Sequence, residues 1–389
     1  MFVGFGVSYS FGAFFASLER EFAARRGDLS IVFAIASALY FALGLASGPA
    51  ADRWGARRVG GAGMLVMAAG LAASSRADAL WQIYLAFGVS VGIGVGFTYV
   101  PSLGAVQPWF VRRRAFATGI AVAGIGGGTL ALPPTAALLV EAFGWRGACL
   151  GLALVTLAIG GGACLLLDGR PQRRGFGPDG AAAAAAGGRA QAGTDFATAW
   201  RSRPFRLLTL ISLLTSFGVF VPFVHLAPSA IDQGVPDGIA AALIGVIGLG
   251  SLVGRFAVGA VADRFGRRRT LPAVVVAQAV LLAFWMVADR LWMLGAFALA
   301  FGLSYGGYVA LLPTMCTDYF GARSIGAIMG AVFSGVSVGC LLGPPLAGFA
   351  FDATGSYAWP IAACVAFTTA GAFAAAGLPD PARWQEAAR

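Results

Sequence analysis

The chain has 389 residues, 58% hydrophobic and 11% charged, with a mean hydropathy of +0.80. Soluble domains carry roughly 25% charged residues, so the composition excludes an ordinary soluble protein. All 27 basic residues are arginine against 17 acidic ones, and the net charge of +10 would fit a nucleic-acid binder only if its placement along the chain were ignored.

Uncharged runs of about 20 residues, the length that crosses a ~30 Å hydrocarbon core as a helix, recur twelve times. The first, 1–18, carries Tyr9 and lacks the basic flank and cleavage site of a signal peptide, so it reads as a spanning helix. The second, 29–51, ends in ADRWGARR (51–58), a short glycine turn holding Asp52 and Arg53. Spans at 59–75 and 79–108 follow, the latter with Tyr99 in GVGFTYVPSLG. A basic cluster, Arg112 to Arg114, precedes the fifth span at 115–140, and the sixth covers 147–167. Residues 168–206 contain GPDGAAAAAAGGRAQAGT, a small-residue tether, and close on Phe196, Trp200 and Phe205 among arginines, a pattern suited to an interfacial helix or to a plain linker.

The seventh span, 207–231, contains His225, the sole histidine, a residue type that titrates near neutral pH when unperturbed, and it is a candidate coupling group. The eighth, 238–262, holds Arg255 and ends in ADRFGRRR (262–269), with Asp263 and Arg264. After a ninth span at 270–288, the tenth, 291–317, carries Tyr305 and Tyr308, and the last two cover 324–351 and 357–378. The five cysteines lie singly in apolar runs without metal-ligand spacing, so no metal and no cofactor is expected.

An offset of 211 residues superimposes Asp52 on Asp263, Arg53 on Arg264, Gly55 on Gly266, Arg112 on Arg323, Gly119 on Gly330, Pro133-Pro134 on Pro344-Pro345 and Gly144 on Gly355. The expected fold is therefore an all-α integral membrane protein, twelve transmembrane helices in two pseudo-symmetric six-helix halves, 1–167 and 207–389, joined by a linker at 168–206. With both termini in the cytoplasm, twenty arginines face inward and six outward, the distribution of a multi-pass protein of the cell's inner or plasma membrane. Its partners are then the lipid bilayer and a small solute, not nucleic acid, and a monomer is expected. In the two Asp-Arg turns, an acid inside a basic cluster is not needed for topology, so Asp52, Arg53, Asp263, Arg264, Arg112 and Arg113 read as gate residues that pair in one state and part in another.

The one charge left inside a span is Arg255, eight residues and thus about 12 Å from Asp263, near the midplane. An arginine there costs at least ~2.5 kcal/mol and faces a cavity or a partner. All 17 acids fall in loops or at span ends, so no buried acid is at hand; a planar guanidinium is complementary to a carboxylate, which makes a small organic anion the expected ligand. Tyr99, Tyr305, Tyr308 and Tyr9 are candidates to complete the pocket, because a phenolic hydroxyl in an apolar span needs a partner.

The duplicated G-x-x-x-D-R-x-G-R/A-R turns resemble the signature of the major facilitator superfamily. WFVRRRAFATGIAVAG (109–124) resembles the segment entering helix 5 of monocarboxylate transporters, and GVSYSFGAFF (6–15) and VHLAPSAIDQG (224–234) are similar to bacterial oxalate:formate antiporters. The Gly119 and Gly124 pattern there allows close helix packing. The resemblance covers essentially the whole chain and implies a secondary transporter of a small monocarboxylate, lactate- or pyruvate-like, with Arg255 of GSLVGR (250–255) binding the carboxylate; the alternative is a major facilitator exporter or exchanger of another organic anion or drug. Animal members have an aspartate one turn before that arginine for proton coupling, where this chain has Ser251. Oxalate transporters use a second cation in helix 11, which is missing here, so a monoanion is favoured. In similar proteins helix 1 starts two or three turns earlier, so Met1 reads as a late start. No nucleophile, metal cluster or acid pair lies near the midplane, which argues against a membrane enzyme.

Overall fold

A computed structural model describes residues 1–110, 114–168, 193–321, 323–381 and 384, so Arg112, Arg113 and most of the linker lie outside the described residues. Eight helical runs are each long and apolar enough to cross a bilayer, and Arg26–Ala42 with Ala46–Trp54, bent by 56°, makes a ninth. The run Ala117–Leu166 is two helices, broken where Gly144 takes φ 69° and ψ 170°. Two further spans are Phe2–Tyr9 with Phe11–Phe22, interrupted at Ser10, and Ala56–Ser74. Among the described residues the total is twelve, as expected. We number them α1 (2–22), α2 (26–54), α3 (Ala56–Ser74), α4 (Leu80–Val106), α5 (114–143), α6 (145–166), α7 (203–232), α8 (Asp237–Phe265), α9 (Arg267–Trp285), α10 (Leu291–Phe320), α11 (Ile325–Thr354) and α12 (Ala358–Ala376).

Several helices run a turn or more beyond their apolar stretches, because backbone hydrogen bonding continues into the charged flanks. Asp52, Arg53, Asp263 and Arg264 accordingly lie in the last turns of α2 and α8, not in the turns themselves. The turns are single glycines, Gly55 at φ 89° and Gly266 at φ 87°, a region that disfavours side chains. Before α7, a short helix at Phe196–Arg201 is capped by Asp195, whose carboxylate accepts from the Thr198 amide and is held below its usual range first by the Thr198 side chain and then by the backbone amides of the cap. Its Trp200 ring lies 5.1 Å from Phe205 and is half exposed, as an interfacial segment requires.

The repeat is visible in the packing. α1 lies on α5 as α7 lies on α11, α3 on α6 as α9 on α12, and α2 on α4 as α8 on α10. Two seams join the halves, α2 against α11 and α5 against α8, and the repeat exchanges one for the other. Small residues let these backbones approach: a Cβ on Gly248 would lie 2.3 Å from the Leu130 amide nitrogen, and one on Gly348 2.7 Å from Gly27. The expected Gly119 does not contribute to close packing, since nothing comes within 4 Å of its Cβ position, whereas Gly124 abuts Phe2 of α1 at 3.4 Å. At the face bearing the Asp-Arg motifs α4 and α10 hardly meet, and a cavity of about 850 Å³ opens between α2, α4, α6 and the start of α3, with Gly326 of α11 across it.

Candidate functional site

A glycine seam between α8 and α10 builds the centre of the molecule. Cβ atoms on Gly250 and Gly254 would lie 2.2 and 1.9 Å from the carbonyl oxygens of Leu299 and Leu303, so only glycines allow this approach, and it sets Arg255 beside Tyr305. Arg255 is 7% exposed. Its Nη1 donates to the Val122 carbonyl of α5, in the opposite half, and its Nη2 to the Ser251 hydroxyl at 3.4 Å, while its Nε has no partner. Ser251, one turn before it, thus touches the arginine, but only as a neutral acceptor.

Three of the four tyrosines expected here, Tyr305, Tyr99 and Tyr9, lie close enough to the guanidinium to act on it electrostatically, without hydrogen-bonding to it. The Tyr9 and Tyr305 hydroxyls meet at 2.8 Å across the two halves, and the Tyr9 ring stacks on Phe223 at 4.4 Å. Tyr99 reaches the same cluster through Phe5, 5.5 Å away, which also contacts Tyr40 at 5.3 Å. Tyr40 was not expected in the site; it lies near Tyr9 and Tyr305, and its buried hydroxyl has no well-formed hydrogen bond. Tyr308 corrects the expectation. Three residues on from Tyr305, it is turned about 60° around α10 into the core of the second half, beside Ser212 and Thr215 and away from Arg255.

The gate residues stay within their own halves where partners are seen. Asp263 pairs with Arg267 at 3.6 Å, and Arg267 with Asp318 at 2.7 Å. Arg53 lies over Trp54 and Arg264 over Phe265. Asp52 and Arg53 line the cavity described above, and Arg112 and Arg113 fall outside the described residues.

The opposite face holds an inter-half network that the sequence reading did not single out. Arg26, at the start of α2, forms a bidentate pair with Asp232 of α7 at 2.6 and 2.7 Å and also donates to Glu19 at 3.2 Å and to Tyr357 at 3.0 Å. The amides of Arg26 and Gly27 donate to Asp352 of α11 at 3.1 and 2.8 Å, and the guanidinium lies 4.3 Å over Phe351. His225 is fully buried beneath it, with Nε2 near the Pro344 carbonyl (2.9 Å) and Ser30 (3.1 Å) and Nδ1 near the Tyr357 hydroxyl (3.2 Å). In the sequence Arg26 is one of two arginines before Gly27 in a loop; the available signal was that Asp232 and Asp352 lie near the ends of their spans with no arginine close to them in sequence.

Comparison with known proteins follows the same lines. The family model of the Major Facilitator Superfamily matches residues 1–331 and, in a second match, 232–389. Mouse monocarboxylate transporter 11 is 33% identical over 392 residues, 97% of this chain and 84% of the mouse protein. Rat monocarboxylate transporter 3 is 36% identical over 368 residues, 92% of this chain and 74% of the rat protein. Among solved structures, a bacterial homologue of the human lysosomal transporter Spinster, in an inward-facing and occupied conformation, matches with a TM-score of 0.71 at 16% identity, over 97% of this chain and 95% of its own.

Proposed function

The chain belongs to the major facilitator superfamily, among the relatives of the monocarboxylate transporters, and from that premise we propose that it carries a small monocarboxylate, lactate- or pyruvate-like, by alternating access. It is a multi-pass membrane transporter and not an enzyme. The observation that carries the substrate class is Arg255: a buried guanidinium between the halves whose described partners are a carbonyl, a serine hydroxyl and tyrosines, with no acid among them. Such a cation is stabilised by an anionic ligand, and a carboxylate accepts two parallel bonds from it. The short contact to Val122 is then the resting partner that the substrate displaces, and Tyr9, Tyr99 and Tyr305 supply hydroxyls around the bound anion.

The two rigid units in this reading are 1–167 and 207–389, with 168–206 as their tether. The positive-inside rule puts the Asp-Arg motifs and both termini in the cytoplasm and the Arg26 network outside, so the conformation is sealed outward and open inward. In the converse state Asp52, Arg53, Asp263 and Arg264, with Arg112 and Arg113, close the inner face.

Labelled lactate or pyruvate taken up by liposomes containing the purified protein tests this. Arg255→Gln removes two charge-assisted bonds worth roughly 1.5–3 kcal/mol each, so uptake at low substrate falls on the order of 100-fold or more. Undiminished uptake by the variant would exclude the anchor. Competition by neutral or cationic compounds, but not by carboxylates, would favour the rival reading of a drug exporter.

A further inference from the structure

We propose that the outer seal is a proton-operated latch read through His225: the seal holds only while this imidazole is neutral, and a proton taken from the outer medium opens it. The inference rests on the orientation given above but not on the carboxylate assignment.

The hydrogen bonds around His225 fix its tautomer. The Pro344 carbonyl can only accept. Ser30 has one hydroxyl hydrogen and gives it to the Arg26 carbonyl at 2.6 Å, so toward His225 it too can only accept. Nε2 therefore carries the hydrogen. On the other side of the ring, the Tyr357 oxygen accepts from Arg26 Nη1, which leaves its own hydrogen for Nδ1. The circuit runs from Arg26 to Tyr357 to Nδ1, and from Nε2–H to Pro344 and Ser30. It crosses between the halves twice, and every member is satisfied.

A second proton has only Nδ1 to occupy. There it meets the hydroxyl hydrogen of Tyr357, which must then find another acceptor, and it places a cation next to Arg26. The carboxylates facing the site from the packed elements are already engaged: Glu19 of α1 and Asp232 of α7 by the Arg26 side chain, Asp352 of α11 by two amides. None is free to turn toward the imidazolium. A buried group in a circuit of this kind rejects charge, because the surroundings have no donor or acceptor left to reorient.

When α2 and α11 part, Ser30 and Arg26 leave the ring and water reaches it, and an exposed imidazole binds protons near its ordinary pKa of ≈ 6.5. The open form then binds one more proton than the sealed form. The sign follows: the open-to-sealed ratio rises as pH falls below about 6.5, by up to about tenfold per pH unit for a single site. The proton must return to the outer water before the seal re-forms, so external acidity holds the transporter outward-open and ready to load.

Spin labels on cysteines introduced at Asp78 and Asp289, exposed loop positions of the two halves on this face, report the state by their separation in lipid nanodiscs. The five native cysteines are buried and leave the labels to the introduced sites. Without substrate, the parent protein shifts from short to long separations between pH 7.5 and 5.5, and His225→Gln, which donates and accepts but takes no proton, does not. Tyr357→Phe deletes the hydrogen that opposes protonation, so its transition moves to higher pH. An unchanging parent, a shift retained in His225→Gln, or an unmoved midpoint in Tyr357→Phe would each overturn the latch. Because no carboxylate is present, these outcomes leave the Arg255 reading to its own uptake test.

Discussion

At the scale of single residues, the contrast between Arg255 and Arg26 governs the account. Both are cations with little exposure, but Arg26 is neutralised by Asp232 and Glu19, whereas Arg255 is surrounded by neutral groups. A countercharge satisfies a structural cation and leaves nothing for a ligand; a cation without one keeps its Coulomb energy available. Ser251, one turn before Arg255, is where this balance is set. Ser251→Asp would place a carboxylate against the guanidinium and make it compete with the substrate. Ionised, the aspartate blocks the site; protonated, it frees it, so uptake by the variant falls as pH rises through the aspartate's titration. Initial rates in liposomes between pH 5 and 8 check this, and a variant with the parent's profile would show that Ser251 does not touch the operative arginine.

Arg255 was legible in the sequence because a lone charge in an apolar run has few explanations. Tyr9, Tyr99 and Tyr305 were legible as polar rings needing partners, but the rotation that takes Tyr308 elsewhere depends on α10's packing, which no local pattern encodes. Arg26 was not legible. It sits next to Arg25 at a loop, and the two aspartates it meets in the other half are 206 and 326 residues away in the chain.

At the scale of elements, the helices are conventional and the seams between them are specific. The boundaries followed from hydropathy, shifted by a turn where helices continue into their charged ends, and the breaks at Gly55, Gly144 and Gly266 followed from the one residue type that takes positive φ cheaply. Which glycines touch across the halves did not follow, as Gly119 and Gly248 show: both are glycines in apolar helices, yet only Gly248 meets backbone from the other half. Gly248→Val forces α5 and α8 apart at Leu130. Overpacking of this kind costs roughly 1–3 kcal/mol, and here only in the state that closes this seam. Cysteines at Ala38 and Ser337, whose backbone oxygen and side chain meet at 2.8 Å across the other seam, give a readout. Their oxidative cross-linking should slow severalfold in the Gly248→Val background, and unchanged cross-linking would mean the seams do not close together.

At the scale of the whole molecule, two copies of a six-helix unit meet through seams that the repeat exchanges, which is the geometry that lets one face open as the other closes. Only one face can be latched by Arg26, because nothing at the matching position of the second copy repeats it. The pair with Asp232 is partly exposed, with that carboxylate 38% accessible, so its contribution is discounted to about 1 kcal/mol. Asp232→Asn should therefore raise the open population about fivefold, seen as faster hydrogen exchange of the amides in Arg26–Ala42. No change there would assign the seal to the aromatic and glycine contacts alone.

The central claim is that the guanidinium of Arg255 recognises a carboxylate, and calorimetric binding of pyruvate and of its uncharged methyl ester to the purified protein in nanodiscs isolates that group. Pyruvate should bind, the ester should not, and Arg255→Gln should abolish the difference. Equal binding of acid and ester, or undiminished binding of pyruvate by the variant, would contradict it.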